Sequence, residues 1–134
     1  MRATVLDSFA LVAYFRGEPC GVKVKELLQE AGKADKPLHM SEINYAEVKY
    51  MIIRKNGKAA WDEAAQVLSA LPVKFHAGTR EMSDLVADFK SRFTISLADA
   101  FAAALAKAIN AELVTGDPEF NDLRAEIKIN WLKE

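Results

Sequence analysis

The residues whose chemistry is easiest to read are scarce: among 134 residues there are one cysteine and two histidines. A lone thiol, Cys20, cannot close an internal disulfide, which fits a reducing compartment and places the expected location in the cytoplasm. With only Cys20, His39 and His76 on offer, a four-ligand Cys/His zinc site cannot be built from this chain alone. Each histidine falls near the end of a predicted strand, and both are read as structural. Net charge is almost absent, with 18 Lys and Arg against 19 Asp and Glu. No charge-free apolar run reaches the ~18 residues a membrane span needs. Residues 1–15 begin with Arg2 and an apolar stretch in the manner of a leader. Asp7 interrupts that stretch and no small-residue cleavage site follows, so it is read as part of the fold. No Gly-x-x-x-x-Gly-Lys-Ser/Thr stretch occurs, which excludes the common nucleotide-hydrolysing class.

What remains is an ordinary globular balance, 51% apolar and 28% charged, with no repeat or linker. The expectation is one domain over residues 1–134. Short apolar runs alternate with longer helical patterns. Ala3–Leu6, Leu38–Met40, Val73–Phe75, Glu112–Thr115 and Ile127–Trp131 read as strands. Helices are expected from Ser8, as a cap, to Phe15, and from Pro19, as a first helical residue, to about Glu30. Others run from Ser41 to Lys55, Ala59 to Ala70, Arg80 to Phe93 and Ser96 to Asn110, with a short helical turn over Glu119–Leu123. Strands separated by helices imply parallel pairing with right-handed crossovers. The fold class is therefore α/β, a three-layer α/β/α sandwich around a mostly parallel sheet of about five strands.

Four acids stand where solvated acids are not expected. Asp7 ends the first apolar strand. Glu47 falls on a helical stripe with Ile43, Tyr50, Met51 and Arg54, an acid in an apolar face, or else an acid partly paired with Arg54 or at the edge of the stripe. Asp99 opens the most apolar helix of the chain, where Ser96-Leu97-Ala98-Asp99 also reads as a capping box. Asp117 follows a strand across Gly116, although Asp-Pro is also an ordinary turn. In a parallel sheet, ligands gather beyond the carboxyl ends of the strands. All four acids can converge there, and carboxylates ~4 Å apart repel by ~4 kcal/mol per pair at an effective dielectric near 20. A hard divalent cation with oxygen ligands offsets that repulsion.

Taken in order, Val5-Leu6-Asp7-Ser8, Ser41-Glu42-Ile43-Asn44-Tyr45-Ala46-Glu47, Leu97-Ala98-Asp99-Ala100 and Leu113-Val114-Thr115-Gly116-Asp117-Pro118-Glu119-Phe120 resemble the PIN-domain pattern. Within that family the chain looks most like a VapC-type toxin of a type II toxin–antitoxin pair. Tyr14-Phe15-Arg16-Gly17-Glu18-Pro19 resembles the stretch after the first acid of those toxins.

The resemblance implies an endoribonuclease that uses Mg²⁺ or Mn²⁺. It implies Asp7, Glu47, Asp99 and Asp117 as metal-binding, catalytic acids, with Ser8 or Thr115 as the nearby hydroxyl and Asn44 as a supporting polar group. Glu42 rivals Glu47, and Asp122 rivals Asp117. Phe120 is expected in the core. The implied chemistry is attack of an activated water on phosphorus, leaving 5′-phosphate and 3′-hydroxyl ends. The implied partners are an RNA substrate, a cognate antitoxin and a second copy of the chain, with no membrane. Tyr14, Phe15, Tyr50, Met51 and Trp61 can supply an apolar groove for the antitoxin, or simply core.

Charge distribution adds one element. Residues 1–58 hold ten Lys and Arg against seven Asp and Glu, and the remainder eight against twelve. Arg16, Lys49, Arg54, Lys55 and Lys58 are candidate contacts to an RNA backbone, or a solvated helix end. Two other readings stay open: a PIN nuclease of RNA maturation without an antitoxin, and a non-catalytic α/β module that binds metal or a partner.

Overall fold

The apolar runs become five strands of three or four residues, and the periodic segments between them become helices. The computed structural model describes residues 2–133. In chain order the elements are β1 (Thr4–Leu6), α1 (Ser8–Phe15), α2 (Gly21–Ala34), β2 (Leu38–Ser41), α3 (Glu42–Asn56) and α4 (Lys58–Ser69). There follow β3 (Val73–His76), α5 (Arg80–Arg92), α6 (Leu97–Ala108), β4 (Glu112–Thr115), a 3₁₀ helix (Pro118–Leu123) and β5 (Ile129–Trp131).

The strands form one sheet in the order β3-β2-β1-β4-β5, and every neighbouring pair is parallel. Val5 at its centre is in register with His39 on one side and Leu113 on the other. The α1–α2 and α3–α4 crossovers step outward from β1 to β2 to β3. The α5–α6 crossover returns over the sheet and sets β4 on the far side of β1. Right-handed crossovers moving in opposite directions put their helices on opposite faces.

Two apolar clusters follow from this. Leu6, Met40 and Val114 pack with Leu11, Val48 and Trp61 beneath α1–α4. Val5 and Leu113 pack with Phe89, Phe101, Leu105 and Phe120 on the other face. Successive strand residues point to opposite faces, so the central strands β1 and β4 carry adjacent apolar residues, Val5-Leu6 and Leu113-Val114, one for each cluster. The alanines of α6 between Ala100 and Ala106 are buried and let this helix lie close to the sheet. Gly21 does the same for α2, where a Cβ would meet the Ala13 carbonyl oxygen at 2.5 Å.

The structure corrects several boundaries. Asp7, not Ser8, caps α1: its carboxylate accepts from the Ala10 amide at 2.9 Å. The second helix starts at Gly21 rather than Pro19 and runs past Glu30, because Ala31 extends the buried stripe of Val24 and Leu28. It stops at Asp35, whose backbone is left-handed (φ 53°). The last strand starts at Ile129 rather than Ile127, whose side chain is buried in the α5–α6 cluster. The largest correction concerns α3. Its buried stripe is Asn44, Val48 and Ile52, not the stripe containing Glu47. Asn44 is polar, so hydrophobicity alone misassigned the inward face.

Sheet order reverses at β1, with β2 on one side and β4 on the other, and the carboxyl ends of β1 and β4 flank a crevice. Among the described residues no helix is long and apolar enough to cross a membrane.

Candidate active site

The crevice is built from chain ends that the sheet brings together. Asp7 follows β1, Thr115 closes β4 and Asp117 lies two residues beyond it. Asp7 has no exposed surface. Its carboxylate accepts from the Ala10 amide and, through a short bond, from the Thr115 hydroxyl. The Thr115 oxygen also accepts from the Asp117 amide at 3.0 Å. One hydroxyl thus ties the acid after β1 to the backbone that presents the acid after β4. Gly116 sits between them beneath the Phe9 ring, so close that a Cβ there would collide with ring carbons.

Asp99 enters from α6. Ser96 caps that helix, its Oγ accepting from the Asp99 amide at 3.1 Å, as the capping-box reading expects. Asp99, Asp117 and Glu119 each offer a carboxylate oxygen, and the three oxygens lie within 4.8 Å of one another. Asp99 is buried, Asp117 half-buried and Glu119 exposed. Asp117 holds the turn by accepting from the Glu119 amide at 2.9 Å. At 4.8 Å two carboxylates repel by roughly 3–4 kcal/mol at an effective dielectric near 20, and by less where one is exposed.

Protons reflect that repulsion. Burial raises the Asp7 carboxyl to about 7, opposed by its bonds from Thr115 and Ala10 and reinforced by the charges of Asp117 and Glu47. Burial also raises Asp99, to about 8, helped by a hydrogen bond shared with Glu119 and by the charges of Asp117 and Asp7. None of these five acids has an ion pair with Lys or Arg among the described residues. The donor set is all oxygen, crowded and without a cation of its own, which suits a hard divalent ion such as Mg²⁺ or Mn²⁺.

Glu47 is half-buried beside this group rather than sunk in an apolar face, and its charge acts on Asp7. The Tyr50 hydroxyl donates to it at a long 3.5 Å, and Arg54 lies over the Tyr50 ring instead of pairing with Glu47. Glu42 lines a shallow depression with Tyr45 and Phe75. Asp122 is exposed on the 3₁₀ helix, whereas Phe120 is fully buried. Ser8 faces Asn44, and the Asn44 side chain reaches Ala98. Glu119 is the residue that sequence reasoning passed over. Its signal was present: an acid two residues after Asp117, across a proline, in a turn too tight to carry the two side chains apart.

The basic residues lie elsewhere. Arg16 donates to Asn56 at 3.4 Å, Lys49 sits over the Trp61 ring, Lys58 pairs with Asp62 at 2.6 Å, and Lys55 is exposed. His39 and His76 bond each other at 2.8 Å across β2 and β3, and burial lowers both.

The chain matches the family model of the PIN domain over residues 4–126. None of the curated proteins matches it. Solved structures do. VapBC2 from Rickettsia felis, bound to a DNA fragment from its promoter, has 16% sequence identity and a TM-score of 0.80, over 98% of this chain and 99% of that one. DNA-bound VapBC from Salmonella typhimurium has 12% identity and a TM-score of 0.77, over 99% and 100%. VapC20 from Mycobacterium tuberculosis, described as a sarcin-ricin loop cleaving toxin, has 18% identity and a TM-score of 0.72, over 90% and 95%.

Proposed function

The chain belongs to the PIN-domain family, and from that premise we propose that it is a divalent-metal-dependent endoribonuclease, the toxin of a toxin–antitoxin pair. The observation that carries this is the meeting of Asp99, Asp117 and Glu119 within 4.8 Å, beside the buried Asp7. Acids from three separate stretches meet where the sheet order reverses, and among the described residues none of them has an ion pair with a lysine or arginine. The structural likeness to VapBC proteins and to VapC20, described as a sarcin-ricin loop cleaving toxin, supports the reading of RNA as substrate and an antitoxin as partner.

Asp7, Asp99, Asp117 and Glu119 would hold Mg²⁺ or Mn²⁺. When bound, the cation lowers the pKa of a water and offsets charge on the phosphodiester. The rest falls to the chain. Thr115 and the Ala10 amide fix the Asp7 carboxylate in one orientation. Ser96 and the first turn of α6 fix Asp99. Glu47, half-buried and with its charge acting on Asp7, would accept a proton from an attacking water. Burial of Asp7 and Asp99 keeps bulk water from screening the charges at work. In-line attack then leaves a 5′-phosphate and a 3′-hydroxyl. A single-stranded or looped RNA can bend its backbone into such a crevice, which a duplex cannot.

For the antitoxin, a groove of about 590 Å³ runs between α1, α3 and α4, with Phe15, Ile52, Ala60, Ala64 and Val67 on its walls. Of the five side chains the sequence offered for such a groove, only Phe15 lines it, and Trp61 is core. A homodimer completes the proposal.

The test incubates purified protein with RNA, with and without Mg²⁺ or Mn²⁺, beside Asp7→Asn and Asp99→Asn. Cleavage that needs the metal and both acids is expected. Equal cleavage by all three proteins, or cleavage that survives excess chelator, would sink the proposal.

A further inference from the structure

Asn44 lies in the first turn of α3 and has no exposed surface. Its Nδ2 donates to Ser8 Oγ at 3.0 Å and to the Ala98 carbonyl at 3.1 Å. The Ser8 hydroxyl donates back to the Asn44 carbonyl at 3.3 Å. A carbonyl only accepts, so the Ala98 contact decides which way the amide points. Ser8 directly follows Asp7, and Ala98 directly precedes Asp99. One side chain therefore spans the first turns of α1 and α6, the two elements that deliver the buried acids.

The same side chain carries a defect. Its Oδ1 is buried and has no hydrogen-bond partner among the described residues. A buried acceptor left unbonded is destabilising. Leucine is close in shape and would orphan no donor, because the Ser8 hydroxyl donates to the backbone of residue 44 and not to its side chain. The core alone has no use for an amide here. The two donated bonds, reaching the neighbours of Asp7 and Asp99, are what asparagine adds.

We infer that Asn44 is a positioning residue for the acid cluster, setting the separation of the Asp7 and Asp99 carboxyl groups by tying the start of α1 to the start of α6. The inference rests on the reading of these acids as a cation site. It assigns Asn44 no contact with substrate or metal, and it identifies an inward polar position of α3 as serving the site and not stability. Ser8 is the other half of the tie.

The experiment titrates Mn²⁺ into metal-free protein, followed by electron paramagnetic resonance with no RNA present, so that binding is read apart from activity. Asn44→Leu is expected to weaken Mn²⁺ binding at least about tenfold, the range seen when groups that orient metal ligands are removed. Val48→Ala, one turn along the same buried stripe, is the control for general loosening. It is expected to lower the melting temperature while leaving Mn²⁺ affinity within about twofold, since its side chain packs in the apolar cluster beneath α1–α4 and makes no hydrogen bond to the acid-bearing turns. Ser8→Ala keeps the fold and removes one arm of the tie, so an intermediate loss is expected. It decides the matter should Asn44→Leu fail to fold. Unchanged affinity in the folded tie variants overturns the inference, as does a parallel loss in Val48→Ala. No Mn²⁺ binding by the unaltered protein would instead remove the reading of the acids on which the inference stands.

Discussion

The two ends of α6 hold acids in opposite conditions. At its start, Asp99 joins Asp117, Glu119 and Asp7 with no ion pair to a cation among the described residues, and burial lifts Asp7 to about 7 and Asp99 to about 8. At its end, eight residues and roughly 12 Å further on, Lys107 shares Glu126 with Arg92, which also holds Asp88. There Glu126 is pulled down to about 2, first by its bond to Arg92 and then by Lys107. The same chemical group is thus satisfied at one end and frustrated at the other. A carboxylate whose counter-charge lies in the sequence serves the fold. A set of carboxylates without one is completed only by something the chain does not carry.

The sharpest way to break this contrast is catalytic. Asp99→Asn is expected to lower RNA cleavage by roughly 10²–10³-fold, and Glu126→Gln to leave it within about twofold, in a gel assay of labelled RNA with Mg²⁺. A comparable loss at both would erase the distinction between the ends.

Next in size is metal-linked stability. A cation that binds only the folded chain adds about 2.7 kcal/mol at a hundred times its dissociation constant. Calorimetry at pH 8 should show Mn²⁺ raising the melting temperature of the unaltered protein and of Glu126→Gln, but not of Asp99→Asn.

A third prediction uses pH. The folded, metal-free chain keeps protons on Asp7 and Asp99 up to about 7 and 8, whereas unfolded aspartates release theirs near 4. Between those values the folded state binds more protons, so stability falls as pH rises. Glu126 runs the other way, its contribution present above the ordinary glutamate value and lost as pH falls toward 2. His39 and His76, lowered by burial, favour the unfolded state below about 6.5. The clean window is therefore pH 6.5 to 8.5. Melting temperature without metal should decline across it, and Asp99→Asn should flatten the decline. A flat profile for the unaltered protein would show that the acids are not strained.

The smallest expected effect is geometric. Gly116→Ala must push the Phe9 ring or the Asp117 turn aside. Cleavage should fall about tenfold while the Arg92–Glu126 end, read by the change in melting temperature on Glu126→Gln, responds as before. Full activity would mean that Phe9 yields and the turn stays.

Much of this was legible in residue order. The central strands β1 and β4 showed as short apolar runs, Val5-Leu6 and Leu113-Val114, because both faces of the sheet are covered there. Asp7 and Asp117 stood out because each ends such a run, and Asp99 because it opens a helix that is otherwise apolar. Caps at Ser41 and Ser96 followed from local hydrogen bonding, which needs no tertiary contact. Glu47 was found for the wrong reason: the stripe that contains it is the rim of α3, and the buried stripe begins with Asn44. Glu119 was passed over although its closeness to Asp117 across Pro118 was a local mark, because an exposed turn acid reads first as a solvated one.

By itself the sequence determined which segments extend as strands and which coil into helices, and which acids stand out from a solvated surface. Both depend on neighbours a few residues away. Only the tertiary structure decided that Asp99, Asp117 and Glu119 meet, that Asn44 joins the starts of α1 and α6, and that Glu126 finds Arg92. Those are relations between elements distant in the chain, and the return of α5–α6 across β1 brings them within reach of one another.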